Sequence, residues 1–222
     1  MDRWIVDRHV QYLKKHGVHI KVGEIESWCG NVHKEEKKYI HNFGLKRSKE
    51  FSAGRRIIRS VFEEIGADVG AIGVDKGGAP VFPVGGVGSI SHGERYCVVI
   101  AGYQCKARFI GVDIERVGRI DKSAWTILFT GYEIYLLNCI SERDVDRFST
   151  LIYSSKESYI KLHWSKNNES CDMHDINVIH IIELHKDFYC VTLNVCVSNE
   201  QKDKKKVYAS CFSNNVLSHI VE

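Results

Sequence analysis

Two stretches of the chain repeat apolar residues at the spacing of an amphipathic helix. The first runs from Arg47 to Ile65, and the second from Leu151 to Trp164. Gly66 directly follows the first stretch, and a glycine there is typical of a helix C-terminus. The pattern therefore predicts two long helices, each with one face toward a core. Shorter helices are expected near Trp125 and from Thr130.

Five other stretches are apolar or alternating over the length of a strand. Residues 96–101 and 107–115 form one pair, with a turn near residues 102–104, and the others are 176–184, 188–197 and 207–212. Consecutive strands joined by short turns favour antiparallel pairing. The expected fold class is α+β, with helices packed against antiparallel sheets.

Composition narrows the class of protein. The 222 residues suit one large domain or two small ones. The net charge of +3 is too small to give an overall positive electrostatic field that would attract nucleic acid. No segment has the length of a membrane span, and the start lacks a signal-peptide core. None of the eight cysteines forms a Cys-x-x-Cys pair. We therefore expect buried free thiols and a cytoplasmic protein.

An acidic pair lies at the end of one of the predicted strands. In Gly111-Val112-Asp113-Ile114-Glu115, strand geometry places both carboxylates on one face, about 7 Å apart. Carboxylates that close repel each other unless a cation lies between them or one is protonated. Mg²⁺ is the expected cation, and a solvated strand end is the plain alternative.

A third carboxylate, Glu157, lies within the apolar face of the second long helix. Burial of a carboxylate is costly unless a cation pairs with it. Lys161, four residues later, is one candidate partner, and a metal shared with Asp113 and Glu115 is another. A surface ladder of ion pairs is the plain alternative for this helix.

Together the two segments resemble a known pair of motifs. Gly111–Glu115 followed by Ser154-Ser155-Lys156-Glu157-Ser158-Tyr159-Ile160-Lys161 resembles the signature of the 4′-phosphopantetheinyl transferases. Upstream, Ala53-Gly54-Arg55, Pro80–Pro83 and Gly88-Ser89-Ile90-Ser91-His92 look like the branch that includes the enterobactin-synthase component D enzymes.

The resemblance implies two similar α/β halves with antiparallel sheets, flanking helices and a cofactor cleft between them. The halves are residues 1–111, with the residues that bind the coenzyme A 3′-phosphate, and 112–222, with the metal-binding and catalytic residues. It also implies a monomer.

The implied activity is Mg²⁺-dependent transfer of 4′-phosphopantetheine from coenzyme A to a serine of an acyl or peptidyl carrier protein. Siderophore or other secondary-metabolite biosynthesis, on nonribosomal peptide or polyketide carriers, is the expected context. Two alternatives are another Mg²⁺-dependent coenzyme A or nucleotide enzyme, and an inactive module that binds coenzyme A.

By the resemblance, Asp113, Glu115 and Glu157 hold Mg²⁺. Glu157 accepts the serine proton, directly or through a metal-bound water, and Lys161 and Lys156 stabilise negative charge. Asp113, Lys156 and Lys161 are also expected to contact the coenzyme.

Other coenzyme A ligands are expected in the N-terminal half. Arg47 and Arg55 are assigned to the 3′-phosphate, and Ser91 and His92 to the other phosphates. The loop Lys76-Gly77-Gly78 is expected to border the nucleotide. The alternative for Arg55 and His92 is a role in packing alone, and the alternative for the loop is a flexible connector.

The carrier protein presents an acidic helix beside its serine. Arg116, Arg119 and Lys122 follow the acidic strand, with Trp125 and Phe129 next in the chain. This segment could dock the carrier, or it could be a solvated turn leading to a core-packed helix.

Overall fold

The computed structural model describes residues 3–103, 107–196 and 203–222. Its contacts divide the chain into two compact units. One comprises Val6–Ile110 with Val221–Glu222, and the other comprises Gly111–Ile220 with the first residues of the chain. The functional assignment of residues 1–111 and 112–222 to two halves stays a prediction, as does the cleft. Gln104, Cys105 and Val197, which belong to predicted features, lie outside the described residues.

A three-stranded antiparallel sheet and a long helix organise the N-terminal part. The sheet has the order β1-β5-β4. The elements are α1 (Arg3–Lys14), β1 (Val18–Glu24), α2 (Ile25–Trp28), α3 (Lys37–Ile40), α4 (Leu45–Glu64), β2 (Gly73–Val74), β3 (Pro80–Val81), β4 (Gly86–His92) and β5 (Tyr96–Tyr103).

Helix α4 builds the core of this part. Its apolar face, with Ile57, Ile58, Val61 and Phe62 completely buried, packs in one cluster with residues of β5. Gly66, in the left-handed conformation at φ 81°, follows the helix end. The predicted helix and its stop signal are therefore observed.

The C-terminal part pairs a five-stranded sheet with a second long helix. The strand order is β6-β10-β9-β8-β7. The elements are β6 (Ile110–Arg116), α5 (Trp125–Leu128), α6 (Gly131–Cys139), α7 (Glu142–Asn167), β7 (Ile176–His185), β8 (Phe188–Val195), β9 (Asp203–Phe212) and β10 (Asn215–Val221).

The predicted α+β class is confirmed, but the predicted pairing of residues 96–101 with residues 107–115 is wrong, because β5 lies between β1 and β4 whereas β6 lies beside β10 in the other sheet. Two further differences concern α7 and β10. Helix α7 starts nine residues before the predicted Leu151, because a charged first turn hides its apolar spacing. Strand β10 was missed, although Ser213 and Asn214, both at positive φ, form the tight turn that precedes it. This strand lies beside β6 in the sheet.

Helix α7 crosses β6 at very short distance. A Cβ atom on Gly111 would overlap the carbonyl oxygen of Ser158 and would lie 2.9 Å from the Leu162 nitrogen. Beside this contact, the hydroxyl oxygen of Ser218 on β10 lies 2.8 Å from that of Ser154 and 2.6 Å from that of Ser158. These small residues let the helix backbone lie directly on the strands.

Lys156, on the same helix, is completely buried. Its ammonium donates to three acceptors, Glu133 Oε2 at 2.5 Å, Met173 O at 3.0 Å and Leu128 O at 3.2 Å. Glu133 also accepts from the backbone amides of Thr130 and Val178, each at 2.8 Å. Burial lowers the pKa of Lys156, whereas the charge of Glu133 raises it. The pair joins α7 to the start of α6 and to β7.

The cysteines in the described part of the chain are free. Cys97, Cys171, Cys190 and Cys211 are buried, as predicted, whereas Cys139 and Cys196 are exposed and Cys29 is half-buried. None of the helices in the described ranges has the length and apolar character needed to cross a membrane.

The close approach of α7 to β6 predicts that any side chain at residue 111 strongly destabilises the fold. Gly111→Ala should destabilise the protein by about 1–3 kcal/mol, because the added methyl forces the helix off the strand. Gly131→Ala is the control, because nothing lies within 4 Å of a Cβ there and alanine favours helix. Urea unfolding would measure both variants, and equal midpoints would contradict the packing account.

The buried pair of Lys156 and Glu133 predicts non-additive stability losses. Lys156→Met and Glu133→Gln should each lower the free energy of unfolding by about 3–5 kcal/mol, because each removes one partner of a buried ion pair. The double variant should lose clearly less than the sum, because it removes both charges. Losses that simply add, measured by the same urea titrations, would show that the pair does not act as a unit.

Candidate active site

Asp113 of β6 and Lys161 of α7 form an ion pair at the contact between the two elements. Lys161 Nζ lies 2.7 Å from Asp113 Oδ1 and 3.1 Å from the carbonyl oxygen of Val112. The Asp113 side chain is only 3% exposed, whereas that of Lys161 is 28% exposed. The strand residue is therefore buried rather than solvated, and the lysine remains accessible to a ligand.

Glu115 is paired with an arginine from the following turn. Arg119 Nη1 lies 2.7 Å from Oε1 and 2.5 Å from Oε2 of this carboxylate. Burial raises the pKa of Glu115, and the neighbouring Asp113 raises it further, whereas Arg119 lowers it. The arginine therefore balances part of the repulsion between the two acidic residues.

Glu157 completes the acidic cluster from α7. Burial raises its pKa, and Asp113 adds to this, whereas Lys161 lowers it. The Tyr153 hydroxyl lies near Glu157 and lowers its pKa, and the pKa of Tyr153 is raised by burial and by the three carboxylates. Sequence reasoning placed Tyr153 only in the apolar face. Its position four residues before Glu157 was the signal that could have identified it.

The three carboxylates supply the oxygen donors that Mg²⁺ prefers, and their charges interact. In the described part of the chain, however, no three His, Cys, Asp or Glu side chains are arranged to hold a metal ion. Asp113 contacts Lys161 and Glu115 contacts Arg119. The donor set fits the ion chemically, and the assignment of Asp113, Glu115 and Glu157 to Mg²⁺ stays a prediction.

Lys156, also expected among the catalytic residues, lies apart from this cluster. Its ammonium is buried and donates to three protein acceptors, one of them Glu133. An ammonium has three hydrogens, so these bonds use its full donor capacity. This geometry gives Lys156 a structural role, and a direct catalytic or coenzyme-binding role does not fit it.

Arg47 and Arg55 lie on α4 in very different environments. Arg55 is 4% exposed, and its Nε and Nη2 donate to the carbonyl oxygens of Ile72 and Gly73 at 3.1 and 3.2 Å. Burial lowers its pKa to about 10. Arg47 is 53% exposed and lies 3.4 Å from Glu50. Arg55 is thus anchored to the segment that begins β2, whereas Arg47 is open to an anion.

Glu36 lies under the basic face of α4 and is completely buried. Arg59 donates to it at 2.5 Å, as does the Ile72 amide at 2.8 Å. Its charge raises the pKa of Arg55, whereas Arg47 and Arg59 lower it. Arg55 and Arg59 therefore interact with one buried carboxylate, and the charge of Arg47 adds to theirs on this face.

Ser91 and His92 point to opposite faces of β4. A Cβ on Gly54 would lie 3.0 Å from His92 Nε2, so the glycine lets this imidazole pack directly on α4, one residue from Arg55. Ser91 belongs to the alternating buried face with Val87 and Ser89. Only His92 therefore lies beside the arginine helix, and the phosphate contacts expected of both residues stay predictions.

The loop of Lys76, Gly77 and Gly78 is a tight turn between β2 and β3. Asp75 Oδ1 accepts from the Gly77 amide at 2.9 Å, and the Asp75 carbonyl accepts from the Gly78 amide at 3.2 Å. Gly78 has φ 87°, which favours glycine. Both glycine amides already have partners, so phosphate binding by them does not fit this geometry. Lys76 is exposed.

The segment expected to dock the carrier differs from its prediction. Trp125 and Phe129 are 5% and 1% exposed, so they pack in the core. Arg119 pairs with Glu115. Arg116 and Lys122 are exposed, and the exposed apolar side chains nearby in the chain are Ile127, Tyr132 and Tyr135.

Comparison with known proteins connects these features to a family. Residues 35–102 match the description "4′-phosphopantetheinyl transferase N-terminal domain", and residues 109–216 match "4′-phosphopantetheinyl transferase superfamily". A protein of Nocardia iowensis, "4′-phosphopantetheinyl transferase Npt", is 28% identical over 134 residues, 60% of this chain. The match spans 59% of that relative's length.

A solved structure is also similar in part. The holo-[acyl-carrier-protein] synthase of Thermotoga maritima is 18% identical, with a TM-score of 0.38, and the match covers 52% of this chain and 62% of that protein. The two family matches lie on either side of residues 103–108 and together include most of the chain. The resemblance to the enterobactin-synthase branch stays a prediction. The chain belongs to the 4′-phosphopantetheinyl transferase superfamily.

Proposed function

We propose that this protein transfers 4′-phosphopantetheine from coenzyme A to a serine hydroxyl of an acyl or peptidyl carrier protein. The observation that carries the proposal is the meeting of two distant motifs in one cluster, in which Lys161 contacts Asp113 beside Glu115 and Glu157. Membership of the superfamily supports it. Siderophore or other secondary-metabolite biosynthesis, in the cytoplasm, is the proposed context.

The reaction forms one bond and breaks one. The serine oxygen bonds to the phosphorus that carries pantetheine, the diphosphate bond breaks, and adenosine 3′,5′-bisphosphate leaves. Lys161, whose ammonium is partly exposed, is proposed to stabilise the negative charge of the oxygens being displaced. Its bonds to Asp113 and to the Val112 carbonyl hold the ammonium at the strand.

Glu157 is proposed to accept the serine proton. Burial raises its pKa, which makes its carboxylate a stronger base than an exposed glutamate. Tyr153, which lowers the pKa of Glu157, is proposed to donate to this carboxylate and orient it. Asp113, Glu115 and Glu157 are the proposed holders of Mg²⁺. Bound there, the ion would neutralise charge on the diphosphate.

Mass spectrometry of a carrier protein incubated with this protein, coenzyme A and Mg²⁺ tests the proposal. A gain of one phosphopantetheine on the carrier serine supports it. Turnover of coenzyme A without carrier modification would favour another coenzyme A or nucleotide enzyme. Coenzyme A binding without any turnover would favour an inactive binding module.

The 3′-phosphate of coenzyme A is proposed to bind at the positive face of α4. Arg47 would supply the accessible guanidinium. Arg55, held by backbone carbonyls, would supply Nη1 and keep the β2 segment in place. His92 packs against Gly54 on the same helix and is proposed to contact another phosphate.

This arrangement predicts a selective loss for Arg47→Ala. Its dissociation constant for coenzyme A should rise roughly tenfold or more, because a charged hydrogen bond to phosphate is lost. Its affinity for 3′-dephospho-coenzyme A should change little. Calorimetry would measure both ligands. Lys46→Ala is the matched control, because Lys46 is the adjacent exposed cation and also lies near Glu50. Equal losses for both ligands would remove Arg47 from the phosphate site.

The carrier protein is proposed to dock on the surface after β6. Arg116 and Lys122 offer positive charge to its acidic helix. Ile127, Tyr132 and Tyr135, on the consecutive helices α5 and α6, are 69%, 53% and 65% exposed and offer apolar contacts. Exposed side chains of this kind fit a partner that associates and leaves in each catalytic cycle.

Reversing the charge on this surface should change the kinetics for the carrier protein and not those for coenzyme A. With Arg116→Glu and Lys122→Glu combined, the KM for the carrier should rise several-fold and its salt dependence should fall, because exposed charges act mainly on association. The KM for coenzyme A should not change comparably. Lys186→Glu, in the turn after β7, is the control. Steady-state kinetics at two salt concentrations would check this, and an unchanged carrier KM would place docking elsewhere.

A further inference from the structure

Arg119 makes an unusual contact for a surface residue. A single nitrogen of its guanidinium lies within 2.7 Å of both oxygens of Glu115. The arginine side chain is 56% exposed, whereas that of the glutamate is 8% exposed. The carboxylate is therefore fixed in the protein, and the cation that pairs with it comes from the solvent side.

The backbone around Arg119 is held independently of this ion pair. The Val117 amide donates to the Asn214 carbonyl at 2.9 Å, and the Gly118 amide lies 3.4 Å from Thr150 Oγ1. The Arg119 amide itself donates to the Arg116 carbonyl at 3.2 Å. The Arg119 side chain can therefore leave Glu115 by rotation into solvent, without movement of the turn.

Lys161, the other cation of the cluster, is held more firmly. It contacts both a carboxylate and a backbone carbonyl, and its side chain is only half as exposed as that of Arg119. Of these two cations, Arg119 is the one that a competing ion would displace.

We propose that Arg119 is an internal counter-ion for Glu115 in the metal-free protein and competes with the divalent cation for this carboxylate. The inference rests on the proposed function, because it takes Glu115 as a metal ligand. A guanidinium that contacts both oxygens occupies the side of the carboxylate that a metal ion would approach. Its positive charge, a few ångströms away, also repels a divalent cation. The arginine side chain is 56% exposed, so water can solvate its guanidinium once the cation has displaced it.

Metal affinity without coenzyme A or carrier tests this competition. Mn²⁺ binding would be followed by the loss of the free-ion EPR signal, and Mg²⁺ binding by calorimetry. Removing the guanidinium in Arg119→Ala should tighten binding of both ions by roughly three- to tenfold. Arg119→Lys keeps the charge but has a shorter reach, so its metal affinity should lie between those of the wild-type protein and Arg119→Ala. Arg116→Ala, which removes an equal charge three residues earlier, should change affinity much less.

Unchanged or weaker Mn²⁺ binding by Arg119→Ala would overturn the proposal, as would an equal gain in Arg116→Ala. Absence of Mn²⁺ binding in all four proteins would overturn it as well. The carrier-modification assay separates this failure from that of the proposed function. If wild-type protein modifies the carrier while Arg119→Ala binds Mn²⁺ no more tightly, the transferase proposal stands and the competition does not.

Discussion

The candidate active site depends on the contact between the backbones of α7 and β6 at Gly111. The Ser158 carbonyl oxygen occupies the space that any side chain at residue 111 would need. Asp113 lies two residues after Gly111 on the strand. On the helix, Glu157 lies one residue before Ser158, and Lys161 lies three residues after it. Backbones this close let Lys161 reach both Asp113 and the Val112 carbonyl. A wider separation would leave the buried carboxylate without its cation.

Helix geometry divides the charged residues of α7 between two tasks. Glu157 and Lys161, four residues apart, lie on one face, and that face meets the acidic strand. Lys156 is five residues from Lys161, so it points to a different side of the helix. There it meets Glu133 and two backbone carbonyls in a buried network. One motif therefore contains both a lysine available for chemistry and a lysine that secures the helix.

Sequence reasoning predicted the features that depend on local pattern. The fold class and the two long helices follow from periodicity, and the grouping of Asp113 with the Glu157 helix follows from the resemblance of the two motifs to the family signature. Features that depend on tertiary contact were not accessible in this way. The spacing of Lys156 and Arg55 does not reveal that carbonyls from distant segments bind them. The pairing of Arg119 with Glu115 and the burial of Trp125 also arise from packing.

Asp113 and Lys161 are proposed to act as one catalytic unit because α7 lies directly on β6. A double-mutant cycle on kcat/KM for carrier modification tests it most directly, with Asp113→Asn, Lys161→Gln and the double variant. If the pair acts as a unit, kcat/KM should fall roughly 100-fold or more in each single variant. In the double variant it should fall little further than in the worse single variant. Losses that multiply across the two positions would contradict the account.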